Sequence, residues 1–540
     1  MKALALLRLV AFAYLQTCFA DGQYRSRPDL SPPRLNITIP ATSSASPGYI
    51  FVAPYSANRE LKQDDHPEQP AAYIFRDNGD LIWSSVGYLS GFVANFHVSR
   101  YRGQNVLVAF EGRLDLLHGH GYGHATLLNE HYETIKTVTG GNHKILDLHE
   151  FSIVDEKTAL VEIYDQIPLD LSPYGGNETQ TWIVDAIVQE LDLESGDVLF
   201  EWHSLDYVSP HESVLKLGQR PLEGTTSFEA WDYFHINSVD KNSSSNTYLI
   251  SGRHVSALYK LDGETGNILW QLGGKSSNFT FENEELEFAF QHDARFHGTS
   301  PDGTIEYISL FDNGAGSNGH QGGDKNKIRN FSTGKLLALN TTDWTASLVR
   351  EVVHPDRVLA ASQGNTQILP NNNIFVNWGQ AGSVTEFDAK GEVVWNAYLD
   401  SGDLGKGVQS YRGFRAEWTG RPREVPAIIA VESEDDEVKV FVSWNGDTET
   451  NVWRFFGVGG GRRELLGEKE RKGFETSLVI EKEEVWGNGK VEVFAEAVDK
   501  RGRVLSRTEV AGLRKAVGAH GFPETGFRQD QGFLGIVEEL

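Results

Sequence analysis

A polar turn ending in glycine, followed by two or three apolar residues and often a tryptophan, recurs along this chain. It reads DNGDLIW around Gly79, LESGDVLFEW around Gly196, GETGNILW around Gly266 and DAKGEVVW around Gly391. Weaker copies, NEHYETIKTV around His131 and NTTDWTASLV around Trp344, fill the gaps. Glycine supplies the positive φ of a tight hairpin and tryptophan covers a neighbouring sheet. The six centres stand about 62 residues apart, room for a four-stranded sheet with generous loops, and such sheets repeated radially make a propeller. No long stretch has helical periodicity. The pattern predicts an all-β chain with a six-bladed β-propeller over residues 48–426.

The flanks read differently. After Pro426, alternation such as VKVFVSW and VEVFAEAV, with turns NGD and GNG, predicts a small immunoglobulin- or fibronectin-like β-sandwich over 427–512, with a Gly-rich tail at 513–540. Residues 1–20 have the basic start, apolar run and small residues of a secretory signal peptide, and 21–47 form a leader rich in Pro, Ser and Arg. The one cysteine, Cys18, lies inside the signal, so a mature chain has no disulfide and no thiolate metal site, and its stability must come from packing or ring closure. Six glycosylation sequons, at Asn36, Asn177, Asn242, Asn278, Asn330 and Asn340, fit the surface of a secreted glycoprotein. A soluble extracellular monomer is the expectation, since no later stretch supplies the roughly 18 apolar residues of a membrane span.

A formal net charge of −26 repels phosphate backbones and anionic membranes, which argues against nucleic-acid and membrane partners. It also makes any basic group in a central cavity conspicuous. A second repeat supplies candidates: His97 in NFHVSRY, His149 in DLHEF, His235 in YFHINSV and His292 in FQHDARF each stand just before a strand, with the fifth equivalent near Gly364. If those strands are the innermost of their blades, the histidines converge on the channel, and Arg253, on the strand following His235, reaches the same funnel. A lone histidine at such a corner ordinarily staples a loop by hydrogen bonding. His97 is the one expected to be structural.

Other chemistries compete less well. The run HGHGYGH (His118, His120, His124) offers imidazoles for a metal but reads more plainly as a glycine-rich loop. Asp312, Asn313, Asn318 and Asp324 have Ca²⁺-ligand chemistry without a recognised loop spacing. Glu150, Asp232 and Asp293 flank the histidines and leave paired-carboxylate glycoside hydrolysis open. Neither a GxSxG elbow nor a phosphate loop is present, so histidine is the best nucleophile available.

At DLHEF, VQELDLESGDVLFEW, WDYFHINSV, LISGRHVSALYKLDGETGNILWQLGGK, FQHDARF, SQGNTQ and SYRGFRAEWTGRP the chain resembles the arylsulfotransferase-like (ASST) family, in its secreted fungal branch, and is distantly similar to bacterial aryl-sulfate sulfotransferases. The resemblance runs from about Tyr49 to Pro426 and on into the C-terminal region. It implies transfer of a sulfuryl group from an aryl sulfate ester to a phenolic acceptor through a transient sulfohistidine, with no nucleotide sulfate donor, cofactor or metal. By the same resemblance His292 is the nucleophile, His235 and Arg253 stabilise charge and His149 is the acid or base. Two departures stand out: no N-terminal β domain is visible, and Asp293 replaces a small hydroxyl residue, where its charge would repel a sulfate ester. The alternative is a noncatalytic propeller binding a glycan or small aromatic ligand in the same channel. A quinone-dependent dehydrogenase is a more distant reading, because its Ca²⁺ and cysteine features are not recognisable.

Overall fold

All six predicted turns join the third and fourth strands of an antiparallel run of four, which a fifth strand extends in two of the six sheets. The structure is a computed structural model and describes residues 23–56, 67, 69–315, 327–400, 407–432, 437–459, 462–481 and 492–515. The signal peptide, Asn318, Asp324, the GNG turn and the chain beyond 515 lie outside these residues.

The turns form because an Asx residue opens them. Side-chain oxygens of Asn129, Asp192, Asp262, Asn340 and Asp388 each accept two backbone N–H groups a few residues on, offering the backbone a local partner while it reverses. Gly79, Gly196, Gly266 and Gly391 take φ between 73° and 87°. Where glycine is missing, Tyr132 and Trp344 adopt φ of 62° and 59° instead, which is why two copies look weak in sequence yet build the same hairpin. Every one of these hairpins carries a register shift, and such bulges add the local twist a blade needs.

Six sheets follow one another along the chain. Blade 2 begins with Phe92–Tyr101, blade 3 with Phe151–Val154, blade 4 with Ile236–Asn242, blade 5 with His292–Thr299 and blade 6 with Asn365–Ile368. Blade 1 is assembled from both directions: Gly413–Ala416 pairs with Tyr49–Val52 and forms its innermost strand. This closes the ring, the device expected of a chain without disulfides. Blades 6 and 1 are laced by side chains, with Asn365 exchanging two hydrogen bonds with Gly413 and Gln367 two with Arg415. The leader contributes too, since Asn36–Ile39 adds an outer strand to blade 6.

Aromatic side chains fill the spaces between blades. Trp83 stacks on Phe96 and Tyr132 with ring centroids 5.6 and 4.8 Å apart, and Trp202, Phe234 and Tyr259 continue the same layer farther round. A fully buried large apolar side chain contributes roughly 1.5–3 kcal/mol, so these contacts fix the angle at which each inner strand meets the axis.

The described residues divide into two compact units: the chain up to Glu424 together with Trp444–Glu449, and Val425–Ser443 together with the residues from Thr450 on. In the second unit seven strands run in one hydrogen-bonded path, with Val504–Arg507 branching from Glu492–Asp499, and in that path Ala511–Lys515 pairs in parallel with Ala427–Glu432 and antiparallel with Glu492–Asp499. Strand pairing in this unit therefore reaches past residue 512, into the segment read as a tail.

Candidate active site

The ends of the inner strands surround a cavity of about 320 Å³. His149 stands two residues before the first strand of blade 3, His235 one before that of blade 4, and His292 opens that of blade 5. All three line the cavity, as do Arg253, Gln363 and Tyr411. The four residues singled out from sequence are therefore brought together. His97 is not among the lining residues. Its Nδ1 lies 2.8 Å from the Asn95 carbonyl and its ring packs on Phe414, and burial pushes it down to about 4.

Each cavity histidine is held through Nδ1, which decides where its lone pair points. Asn313 donates its amide protons to the carbonyls of Ala360 and Gln363 at 2.7 and 3.0 Å, so its Oδ1, 2.7 Å from His292 Nδ1, can only accept. His292 thus carries its proton on Nδ1 and its lone pair on Nε2. That nitrogen accepts the backbone N–H of Gln363 at 3.2 Å. Burial, with the Arg253 charge next, holds His292 well below the usual histidine range, so the ring is neutral. His149 likewise bonds Asp147 through Nδ1, and His235 bonds Asp232. His235 sits at φ 49°, a left-handed conformation that a non-glycine residue adopts under constraint.

Asp232 organises the wall. Its carboxylate accepts from His120 Nε2 at 2.9 Å and from His235, while its backbone carbonyl accepts from His254 Nδ1 at 2.6 Å. Burial works against its charge, but His235, His254 and the bond from His120 hold it well below the usual carboxylate range. Burial pushes His235 down to about 3. His254 Nε2 then accepts from Arg253 Nη1, whose Nη2 donates to the Ala361 carbonyl at 3.1 Å. The Arg253 Nε–H has no hydrogen-bond partner and its guanidinium no carboxylate partner among the described residues. It is a buried cation, pushed down to about 10 by burial. Such a charge is costly without a counterion, and in a chain of net charge −26 this marks an anion site.

Directly behind the histidines lies a closed charge cluster. Arg295 bonds Glu150 at 2.6 Å and Asp293 at 2.8 Å, and Arg412 reaches Glu150 at 3.2 Å and Asp293 at 3.6 Å. This corrects the expectation that Asp293 would repel an anionic ester: its carboxylate faces two arginines and does not line the cavity. Because Glu150, Asp293 and Arg412 each neighbour a cavity residue, the cluster ties His149, His292 and Tyr411 to one another. It also removes two of the three carboxylates considered for glycoside hydrolysis, and the third, Asp232, is engaged by imidazoles.

The imidazole run does not gather on one point. His118 bonds Asp115 at 2.6 Å, His120 bonds Asp232, and His124 lies 3.6 Å from Glu111. The Ca²⁺ reading fails at Asp312, which pairs with Lys335 at 3.0 Å and Arg329 at 3.1 Å, and at Asn313, which serves His292. Two sets could hold a metal by proximity: His120, Asp232 and His235, and Asp147, His149 and Glu162, with ligand atoms within 4.8 Å of one another in each. In both, the aspartate already accepts N–H groups.

Tyr411 was not singled out from the sequence, whereas His254 was, as the second member of an Arg-His pair. Tyr411 precedes the closing strand just as the histidines precede theirs, its ring 5.1 Å from His149 and 6.4 Å from His292. The motif SYRG carried that signal.

The channel thus gathers imidazoles around a guanidinium that has no carboxylate partner among the described residues. The Arylsulfotransferase (ASST) family profile matches residues 97–400, and the chain belongs to that family. No curated protein matches the chain. Among solved structures, the periplasmic gluconolactonase PpgL of Pseudomonas aeruginosa shares 12% identity over 80% of this chain and 99% of its own, with a TM-score of 0.32. The dihydro-heme d1 dehydrogenase NirN shares 11% identity over 81% and 80%, with a TM-score of 0.31. Likeness at this level carries no argument about chemistry.

Proposed function

We propose that this chain transfers a sulfuryl group from an aryl sulfate ester to a phenol, with His292 as the carrier. The observation behind the reading is the pairing, in one cavity, of an Arg253 guanidinium that lacks a carboxylate partner among the described residues with a neutral His292 whose tautomer leaves a lone pair on Nε2. That lone pair attacks sulfur as the bond from sulfur to the aryl oxygen breaks. The departing phenolate takes the Nε2 proton of His149 in its imidazolium form, whose Nδ1–H Asp147 holds; when the acceptor phenol attacks sulfur and the N–S bond breaks, its own proton returns to that nitrogen. His235, whose Nδ1–H is spent on Asp232, faces the cavity with a lone pair. Charge on the sulfuryl oxygens therefore falls to Arg253 rather than being shared with His235 as the resemblance implied.

Secretion as an extracellular glycoprotein of the fungal branch, acting as a monomer, completes the proposal. It is supported by the exposed or half-exposed positions of all six sequon asparagines. A second reading, a propeller that only binds a glycan or small aromatic, draws on one contact: the Gln363 N–H already occupies His292 Nε2.

Release of 4-nitrophenol from 4-nitrophenyl sulfate by the purified chain, with and without added phenol, separates the two. Phenol-dependent release that disappears in His292→Ala supports transfer. Absence of release from either protein leaves the binding propeller.

A further inference from the structure

Behind the cavity histidines, two carboxylates are left without a cation. Glu150 and Asp293 share Arg295 and Arg412, two charges against two. Asp147 and Glu162 lie beside that cluster, 1% and 0% exposed, and no lysine or arginine among the described residues comes within ion-pair distance of either. Neither oxygen of Glu162 has a hydrogen-bond partner among the described residues. A buried carboxylate so placed is costly as an anion.

The backbone brings a third group to the same point. Asp147 donates its N–H to the Glu162 carbonyl at 2.9 Å, where the approach to the first strand of blade 3 runs beside the second, Thr158–Pro168. His149, two residues on, turns Nδ1 toward Asp147. One ligand atom from each of Asp147, His149 and Glu162 lies within 4.8 Å of the others, whereas ligands about 2.1 Å from a shared ion stand up to roughly 4.2 Å apart, so a closing of at most roughly 0.6 Å suffices. Asp147 is braced for that role: Oδ1 accepts the His149 backbone N–H at 2.7 Å and Oδ2 accepts the Gly121 N–H, while each oxygen keeps a second lone pair. Outer bonds of this kind orient metal-binding carboxylates. The set of His120, Asp232 and His235 differs, because both oxygens of Asp232 are spent on its histidines.

We propose that Asp147, His149 Nδ1 and Glu162 form a buried site for one divalent transition-metal ion, with Zn²⁺ suited to one imidazole and two carboxylates. The doubly charged ion balances the two carboxylates. It takes the place of the Nδ1 proton, and His149 keeps on Nε2 the hydrogen that the transfer reading directs into the cavity. The site itself does not rest on that reading.

The test is calorimetric titration of Zn²⁺ into the purified full-length chain after treatment with a chelator. One ion per chain is expected to bind, and Glu162→Gln, which keeps the shape and loses the charged ligand, should weaken it by more than roughly 100-fold. Added Zn²⁺ should raise the melting temperature of the unaltered chain and not that of the variant. Zinc-edge X-ray absorption of the loaded unaltered chain needs no variant to fold, and should show nitrogen and oxygen ligands at about 2.0–2.2 Å with the outer scattering of a single imidazole. No bound ion, binding that Glu162→Gln leaves unchanged, or a ligand shell without imidazole overturns the proposal. No measurement here involves sulfate transfer. A chain that releases no 4-nitrophenol yet holds Zn²⁺ through Glu162 upholds the site and removes only the transfer reading.

Discussion

Arg253 hydrogen-bonds the side chain of its own neighbour, His254, with Nη1 lying 2.7 Å from Nε2. The turn after the second strand of blade 4 lets adjacent side chains meet, and the partner is a neutral imidazole that burial holds well below the usual histidine range. The guanidinium is aimed without being neutralised.

His254→Glu should therefore damage anion binding more than His254→Gln, since the carboxylate cancels the charge while the amide can still accept a hydrogen bond. KM for 4-nitrophenyl sulfate is expected to rise at least about tenfold in the Glu variant, roughly 1.4 kcal/mol, and only a few-fold in the Gln variant. Equal KM values in both would show that Arg253 is not the anion-binding group.

Asn313 sets the tautomer of His292. Asn313→Ala removes the acceptor for Nδ1–H and should lower turnover about 10- to 100-fold, the usual effect of losing an outer partner of a working histidine. KM for the donor should change little. The split between the two constants, read from steady-state kinetics, distinguishes this from a general loosening of the cavity.

Acid should destabilise the fold well above the carboxylate range. His97, His235, His254 and His292 are all held below 6.5 by burial, so the unfolded chain binds more protons than the folded one below that pH. Their contribution is complete above about 6.5 and is lost as pH falls through the lowered values, about 4 for His97 and about 3 for His235, at up to about 1.4 kcal/mol per pH unit for each group. Glu162, Asp240 and Glu424, pushed up by burial, and His203, raised by its bonds to Asp185 and Glu201 against burial, act in the opposite sense, while His297 and His354, pushed down by burial, add to the first. Urea midpoints should drop between pH 7 and pH 5, and His97→Phe should flatten the slope by about one proton.

Arg412→Ala should cost roughly 3–5 kcal/mol, because Glu150 and Asp293 lose a partner while remaining buried. Thermal unfolding reads this directly. A loss under 1 kcal/mol would mean that Arg295 alone suffices for both carboxylates.

The blades were legible because the outer hairpins repeat a local rule, an Asx residue opening a turn that one left-handed residue closes. Local rules leave marks in sequence even where Tyr132 and Trp344 replace glycine. His149, His235 and His292 were legible for a related reason, each standing at the same place in its repeat. What stayed hidden depends on direction rather than position. Asp293 follows His292 yet points the other way, and nothing local says that Arg295 and Arg412 await it. Asn313 looked like a Ca²⁺ ligand because its two carbonyl partners, from Ala360 and Gln363, lie 47 and 50 residues away. Tyr411 was missed because its strand belongs to a blade begun more than 350 residues earlier.

That late strand also sets an order of events during synthesis. Until the ribosome has delivered Gly413–Ala416, blade 1 has no inner strand, and Arg412 and Tyr411 are not yet at the axis. A nascent chain of five and a half blades would hold Glu150 and Asp293 with a single arginine between them, leaving the centre more negative than in the finished ring. On the proposed reading, anion affinity should rise at closure, and a step in sulfate-ester binding would time the moment the two ends meet.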